Sequence, residues 1–263
     1  MIHKTQKHKI SIVMATYNGV QFLEEQIISL FNQTINFDEL IIVDDCSTDE
    51  TFILLKKIKD LDKRIHLFRN EQNMGVVKTF SNAISKSQGD YIFLCDQDDL
   101  WNENKIEYLI SRIGNRSLIY SNAKIIDGNG CELGYNYSDI NNLYGIDSNS
   151  ASLFKLLTLH SFVLGSSMMF KSELKKNIIP IMETHRNHDW WICYNAILCN
   201  GIKYTDECLL LYRFHENNLT LKHKKKSKSL NNSIKFNKKV RRINDLEKII
   251  NLDLVVDESE KTF

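Results

Sequence analysis

The sequence predicts an α/β protein in which helices flank a doubly wound, mostly parallel sheet. Short apolar runs alternate with segments of helical periodicity from Ile10 to Asp99, and each run is nearly all apolar, as strands buried on both faces must be. Regular alternation of strand and helix favours parallel pairing. Polar or acidic residues follow the runs, at the strand ends where such sheets bind ligands. These observations favour a ligand-binding protein over a purely structural one.

Four strands and three helices are predicted in this first part of the chain. The strands are the runs ISIVMA, ELIIVD, IHLF and YIFLCD, at residues 10–15, 39–44, 65–68 and 91–96. Between them, apolar residues recur at the spacing of helices that pack on a sheet. The segment from Ser47 to Glu50 has the pattern of a capping box and predicts the start of the second helix. Gly89 is predicted to end the third helix.

After Trp101 the alternation is less regular. Further helices and strands are predicted at residues 103–113 (helix), 117–126 (strand), 152–159 (helix), 189–199 (helix) and 209–213 (strand). Residues 127–150 are rich in Gly, Asn, Asp and Tyr and predict a long loop, which in a compact domain is usually functional or disordered. We expect one domain over residues 1–221, followed by a basic, helical tail over residues 222–263.

The net charge of +1 is the sum of an acidic body and a basic tail. Ten Lys and Arg residues and no acid lie between Lys222 and Arg242, which leaves 24 basic against 33 acidic residues elsewhere. No nucleic-acid partner is expected for such a body. Three interpretations of the tail stay open: a solvated extension, RNA binding, and binding to an anionic membrane surface. We favour the membrane, because each Lys or Arg near such a surface contributes on the order of 1 kcal/mol.

The cysteines and the hydropathy bear on the compartment. None of the six cysteines forms a CxxC pair, and four lie in apolar runs, where a reduced cysteine acts as a small hydrophobic residue. No stretch approaches the ~18 consecutive apolar residues of a membrane span. The apolar run at 10–15 is also shorter than the core of a signal peptide. We therefore expect a cytoplasmic protein, peripheral at the inner face of the membrane.

The acidic loop Asp96-Gln97-Asp98-Asp99 is the strongest chemical signal in the sequence. Three carboxylates this close repel one another unless a cation neutralises them. Oxygen ligands at this spacing suit a hard divalent cation, Mn²⁺ or Mg²⁺, with positions left for phosphates. The alternative is a solvated acidic loop in which Asp99 caps the following helix. The strand end, and Asp44 at the end of another strand, favour the metal.

Five motifs together resemble the inverting family 2 glycosyltransferases of the GT-A fold, a Rossmann-like sheet flanked by helices. They are SIVMATYNG, IIVDDCSTDET, NMGVVKTFSNAI, GDYIFLCDQDDLW and HDWW, and the resemblance runs from about Ser11 to Thr220. The last two are similar to a bacterial rhamnosyltransferase-like branch. The resemblance implies transfer of rhamnose or a hexose from a dTDP- or UDP-sugar to a hydroxyl of a growing surface glycan, such as capsule or O-antigen, including a lipid-linked acceptor.

The resemblance also implies roles for individual residues. The expected nucleotide-binding residues are Thr16, Tyr17, Asn18, Asp44, Asn73, Lys78 and Asp96. The expected ligands of Mn²⁺ or Mg²⁺ are Asp96, Asp98, Asp99 and His215. A bound cation would stabilise the charge on the departing nucleoside diphosphate. For His215, an ordinary surface or core histidine is the alternative.

Asp189 matches the catalytic base of the family, which takes the proton of the acceptor hydroxyl. Its alternative role is the N-cap of the helix at 189–199. Many members of the family carry Glu where this chain has His188, which puts a second acid at this site in doubt. Trp101, Trp190 and Trp191 are either sugar-stacking platforms or core residues. Three tyrosines in the 127–150 loop suggest a lid on the acceptor side: Tyr135, Tyr137 and Tyr144.

Two other functional classes are alternatives to a glycosyltransferase. A nucleotidyltransferase would have a Gly-rich, basic triphosphate loop near the first strand, whereas ATYNGV has one Gly and no Lys or Arg. A non-catalytic nucleotide- or glycan-binding module would tolerate loss of the acids at the acidic loop and at Asp189, yet all of them are present.

Overall fold

The computed structural model describes residues 8–141, 163–182, 187–215 and 218. The strands within these ranges, β1 to β9 in chain order, are Ile10–Thr16, Glu39–Asp44, Ile65–Arg69, Tyr91–Cys95, Leu100–Trp101, Leu118–Ile126, Glu132–Asn136, Met168–Lys171 and Ile202–Arg213. They form one sheet in the order β3-β2-β1-β4-β8-β6-β9-β5, and β7 pairs with β6.

Helices pack on both faces of this sheet. In the described ranges, α1 to α7 are Val20–Phe31, Thr51–Lys59, Val76–Lys86, Lys105–Arg112, Tyr137–Asn141, Lys175–Ile178 and His188–Leu198. Short 3₁₀ turns at Gly165–Ser167 and Ser172–Leu174 flank β8. No helix of the described part of the chain is both long and apolar enough to cross a bilayer.

The first half of the sheet is parallel, as the alternating pattern predicts. β1 pairs in parallel with β2 and β4, and β2 pairs in parallel with β3. Side chains along β1 alternate between two buried cores: Val13 packs in the core that contains Phe80 of α3, and Met14 in the core that contains Leu23 of α1. Each such side chain contributes about 1.5–3 kcal/mol by leaving water. The predicted α/β class is therefore confirmed for this half.

The second half of the sheet is mixed. β8 is antiparallel to both β4 and β6, whereas β9 runs parallel to β6. The predicted helices at 103–113 and 189–199 and the predicted strand at 117–126 are confirmed to within two residues as α4, α7 and β6.

Other predictions for this half were wrong or incomplete. β9 begins seven residues before the predicted start at 209, and the first part of the predicted loop at 127–150 contains β7 and α5. The side chains of β7 are mostly exposed, so its sequence carries no alternating apolar pattern, and pairing with β6 determines its conformation. The helix predicted at 152–159, Tyr144 and the tail lie outside the described residues.

Two predicted helix boundaries were wrong. α2 begins at Thr51 without a side-chain cap, and the Ser47 hydroxyl donates to Asp44 Oδ1 at 2.5 Å instead of capping the helix. α3 ends at Lys86, three residues before Gly89. A Cβ atom at Gly89 would lie 2.5 Å from Ser11 Oγ, so this glycine permits a close approach to β1.

Candidate active site

The carboxyl ends of β1, β2 and β4 meet at one edge of the sheet. Thr16 and Asp44 are register partners at the ends of β1 and β2, and the Thr16 hydroxyl donates to Asp44 Oδ1 at 3.2 Å. Asp96 directly follows β4, the other neighbour of β1. Polar side chains that the sequence places 80 residues apart are thus brought to one edge, as expected for an α/β sheet.

Asp44 is fully buried and its carboxylate already has protein donors. Oδ2 accepts from the Ser47 amide at 2.9 Å and lies 3.4 Å from Arg69 Nε, while Oδ1 accepts from the hydroxyls of Thr16 and Ser47. Direct contact with a ligand would require one of these partners to move.

The loop after β1 is exposed and is bonded to the segment after β2. Asn18 adopts a left-handed backbone conformation with φ of 48°, which asparagine tolerates better than most residues. Its Oδ1 accepts from the Thr48 amide at 2.8 Å, and its Nδ2 donates to Thr48 Oγ1 at 3.2 Å. Tyr17 is 43% exposed. Thr16, Tyr17 and Asn18 therefore form a continuous segment at the strand ends, and hydrogen bonds of Thr16 and Asn18 join it to Asp44 and Thr48.

Asn73 and Lys78 are both exposed; Asn73 precedes α3, and Lys78 lies in its first turn. Their segment is held by Asp45, whose Oδ1 accepts from the Met74 amide and whose Oδ2 accepts from the Gly75 amide, each at 2.8 Å. The sequence places Asp45 among the acids at the end of β2 but gives no signal for this structural role, which depends on contacts 29 and 30 residues away.

The acidic loop contains carboxylates in different environments. Asp98 Oδ2 lies 2.8 Å from His215 Nε2, a contact between residues 117 positions apart. Asp99 is fully buried, and it accepts from the Ser166 hydroxyl at 2.6 Å and from the Arg213 amide at 3.1 Å. Burial, followed by the charges of Asp98 and Asp189, raises the pKa of Asp96 to about 7. Asp98 and Asp189 are thus near enough to Asp96 for their charges to act on it.

Arg213 is a buried cation that sequence reasoning did not select. Its Nε donates to the Asp98 carbonyl at 2.9 Å, and its Nη2 forms an ion pair with Glu25 Oε2 at 2.7 Å. The guanidinium also lies over the ring of Phe22, 4.7 Å from the ring centroid. Arg213 thus fixes the backbone of Asp98 while His215, two residues later, contacts its carboxylate.

Lys105 is a second buried cation below the acidic loop. Its ammonium lies 3.7 Å from the centroid of the Trp101 ring and donates to the Ser166 carbonyl. Burial lowers the pKa of Lys105 to about 7. Because Ser166 also donates to Asp99, the lysine, the serine and the aspartate support the loop from within the core.

Asp189 is the second residue of α7 and lies in its first turn. The N-cap is Asn187, so the N-cap interpretation of Asp189 was wrong. Its Oδ1 accepts from the Trp190 amide at 2.7 Å. Of the two interpretations of the tryptophans, burial favours core residues over sugar-stacking platforms, since all three lie in the two cores: Trp101, Trp190 and Trp191.

A family model connects this arrangement to known proteins. The model described as glycosyl transferase family 2 matches residues 11–178, well over half of the chain. The chain belongs to this family.

Two bacterial relatives of this family 2 chain match it over shorter stretches. TuaG of Bacillus subtilis, assigned to teichuronic acid biosynthesis, is 34% identical over 115 residues, which is 44% of this chain and 46% of TuaG. The UDP-Glc:alpha-D-GlcNAc-diphosphoundecaprenol beta-1,3-glucosyltransferase WfgD of Escherichia coli is 35% identical over 122 residues, 46% of this chain and 47% of WfgD. The matched stretch thus spans less than half of each relative.

Solved structures share the fold of this family 2 chain. TarS of S. aureus in complex with UDP-GlcNAc has a TM-score of 0.62 at 21% identity, over 80% of this chain and 60% of that chain. The mannosyltransferase PcManGT from Pyrobaculum calidifontis, in complex with GDP-Man and Mn²⁺, has a TM-score of 0.64 at 15% identity, over 81% of this chain and 59% of that chain. The predicted GT-A fold is confirmed.

Glycosyltransferases of the GT-A fold typically use a divalent metal, and the donor set of the acidic loop fits one. Asp96 and Asp98 supply hard oxygen ligands, and His215 supplies an imidazole that Mn²⁺ accepts. The charge of Asp98 raises the pKa of Asp96, a repulsion that a cation would relieve. Among the described residues, no three His, Cys, Asp or Glu side chains are already grouped closely enough to form a metal site.

Proposed function

We propose that this family 2 protein transfers a sugar, with inversion, from a nucleoside-diphosphate donor to a hydroxyl of a growing bacterial surface glycan. The proximity of Asp189 to the acidic loop carries the proposal: a Cβ atom at Gly165 would lie 3.9 Å from Asp189 Cβ, and the next residue, Ser166, donates to Asp99 of the loop at 2.6 Å. Inversion requires a base near the diphosphate site that removes the acceptor proton while the acceptor oxygen attacks the anomeric carbon. We assign this role to Asp189.

The donor nucleotide is proposed to lie along the ends of β1 and β2. Thr16, Tyr17 and Asn18 would line the base and ribose, with Asp44 behind them. Asn73 and the positive charge of Lys78 would face the nucleotide from the start of α3. The complex of TarS with UDP-GlcNAc supports a uridine donor, whereas the motifs DQDDLW and HDWW favour dTDP-rhamnose. The proposal therefore includes both a hexose and rhamnose as the sugar that is transferred.

The proposed metal ligands are Asp96, Asp98 and His215. A bound Mn²⁺ or Mg²⁺ would act as a Lewis acid on the charge that develops on the departing diphosphate. Asp99 was expected to be a further ligand, but its contacts with Ser166 and Arg213 in a fully buried position favour support of the loop instead. The complex of PcManGT with GDP-Man and Mn²⁺ supports metal use in this fold.

The acceptor is proposed to be a lipid-linked glycan, as in the synthesis of capsule or O-antigen. The name of WfgD describes transfer to a diphosphoundecaprenol-linked sugar, and this relative supports the proposal. We propose that the basic residues between Lys222 and Arg242, which lie outside the described residues, bind the anionic membrane surface that holds such an acceptor.

The variant Asp189→Asn tests the proposed function. We expect a loss of transfer of at least about 10²-fold, because general bases contribute typically 10²–10⁴-fold and an amide cannot accept the proton. UDP or dTDP affinity should stay within a factor of about three, since the base does not bind the nucleotide. Transfer is measured as acceptor-dependent release of UDP or dTDP, and nucleotide affinity by calorimetry with Mn²⁺.

Asp60→Asn, an exposed acid at the end of α2, is the matched control and should keep full activity. Full turnover by Asp189→Asn would refute the assignment of the base. Nucleotide binding by the wild-type protein without acceptor-dependent release, across a panel of lipid-linked acceptors, would instead indicate a binding module. Release of pyrophosphate from a nucleoside triphosphate would indicate a nucleotidyltransferase.

A further inference from the structure

The second residue of the acidic loop, Gln97, is bonded to the loop after β1. Its Oε1 accepts from the Tyr17 amide at 2.9 Å, and its Nε2 donates to the Tyr17 carbonyl at 3.0 Å. One side-chain amide therefore pairs with both main-chain groups of a residue 80 positions away. Such a pair constrains orientation as well as distance, since both hydrogen bonds need their own geometry.

Gly19 makes room for this side-chain amide. A Cβ atom at position 19 would overlap the carboxamide of Gln97. The φ angle of Gly19 is −118°, a value that any residue adopts, so the backbone conformation does not require glycine there. The glycine at position 19 is thus explained by the position of the Gln97 amide.

The two hydrogen bonds join segments that the sheet leaves separate. The parallel pairing of β1 with β4 ends at Met14 and Cys95, before either loop begins. Beyond that point the chain of β1 continues into Tyr17 and Asn18, and the chain of β4 into Asp96 and the rest of the acidic loop. The Gln97 amide holds these two loops at a set separation.

We propose that Gln97 is a positioning residue that fixes the distance between the nucleoside side and the diphosphate side of the donor site. The inference rests on the proposed function, in which one nucleoside diphosphate spans both loops. Gln97 itself would then act through the backbone of Tyr17 and through its neighbours Asp96 and Asp98. Without the amide pair the two loops would have to be ordered when the nucleotide binds, which weakens affinity.

The experiment compares four proteins: the wild type, Gln97→Ala, Gly19→Ala and the double variant. Affinities for UDP and for dTDP are measured by calorimetry with Mn²⁺. We expect Gln97→Ala to bind about tenfold more weakly, from the loss of two partly exposed hydrogen bonds. Gly19→Ala should show a similar loss, because its methyl group displaces the flexible amide. The double variant should be no weaker than Gln97→Ala, since no amide is left to displace.

Matched controls separate positioning from a general loss of stability. Gln88→Ala removes an exposed glutamine that precedes β4, and Gly128→Ala adds a methyl group where no atom lies within 4 Å. Both should bind the nucleotides like the wild type. The ligand-free melting temperatures of all variants should agree within about 3 °C, because a lost surface interaction shifts them little.

The outcomes distinguish this inference from the proposed function. If the wild type binds neither UDP nor dTDP with Mn²⁺, the proposed function fails and the inference fails with it. If the wild type binds but Gln97→Ala binds equally well, only the inference is overturned. Additive losses in the double variant would also overturn it, since the effect of Gly19→Ala would then not pass through Gln97.

Discussion

His188 is an unusual single residue beside the proposed base. Its ring stacks on Phe80 with 4.2 Å between centroids, and within the described part of the chain neither ring nitrogen has a hydrogen-bond partner. Burial lowers the pKa of His188 from 6.5 to about 3. The imidazole is therefore neutral at physiological pH, and it brings no charge to the position directly before Asp189.

The lowered pKa of His188 predicts a loss of stability in mild acid. Below pH 6.5 the unfolded chain binds a proton at His188 that the folded protein binds only near pH 3, so protonation favours unfolding as the pH falls. At pH 5 this amounts to about 2 kcal/mol. Urea denaturation at pH 7.5 and pH 5 should show that His188→Leu loses about 2 kcal/mol less than the wild type between the two values.

His66→Leu is the control for this measurement, because His66 is exposed on β3. It should lose as much stability between pH 7.5 and pH 5 as the wild type. An equal loss in His188→Leu and the wild type would show that His188 titrates normally.

At the scale of elements, the proposed metal site depends on the loop after β4 and the end of β9. Arg213 binds the main chain of Asp98, and His215 binds its carboxylate. Asn218 bonds to the end of β9 and to His215: its Oδ1 accepts from the His215 amide at 2.6 Å, and its Nδ2 donates to the Arg213 carbonyl at 3.0 Å. The C-terminal end of β9 thus holds the acidic loop in place.

This arrangement predicts that metal binding requires both elements. Treatment with EDTA should stop transfer, and Mn²⁺ or Mg²⁺ should restore it, because the cation supplies the charge that stabilises the departing diphosphate. Mn²⁺ affinity in the presence of UDP, followed by electron paramagnetic resonance, should fall at least about tenfold in Asp98→Asn and in His215→Ala. The exposed His66→Ala is the control. Activity that survives EDTA would refute the metal site.

At the scale of the whole molecule, the charge is divided between an acidic body and the basic residues between Lys222 and Arg242. We predict that removal of residues 221–263 abolishes binding to anionic vesicles, since ten basic residues supply the attraction. Co-sedimentation with vesicles that contain 30% anionic lipid, against neutral vesicles, measures this binding. Turnover of a water-soluble acceptor should stay within a factor of about two.

Persistent binding of the truncated protein to anionic vesicles would show that its attachment lies in the body. Loss of turnover with the soluble acceptor would show that the tail contributes to the catalytic domain itself.

The sequence predicted the first half of the fold better than the second. Strands β1, β2 and β4 are buried on both faces and read as apolar runs, so local pattern and tertiary environment agree. β7 and β8 were missed. β7 carries mostly exposed side chains, and the four residues of β8 are too few for a periodic signal. Their conformation depends on pairing with β6, a neighbour that no local pattern identifies.

The candidate site shows the same division. The sequence alone determined the α/β class, the acids after β2 and β4, and the acid at the start of α7, because strand ends and acidic clusters are local features. Only the tertiary structure decided which of these acids have partners: Arg213 and His215 reach Asp98 across more than 100 residues, and Gln97 reaches Tyr17 across 80. The physical reason is that hydrogen bonds and burial depend on distances in space, which chain folding sets and sequence spacing does not.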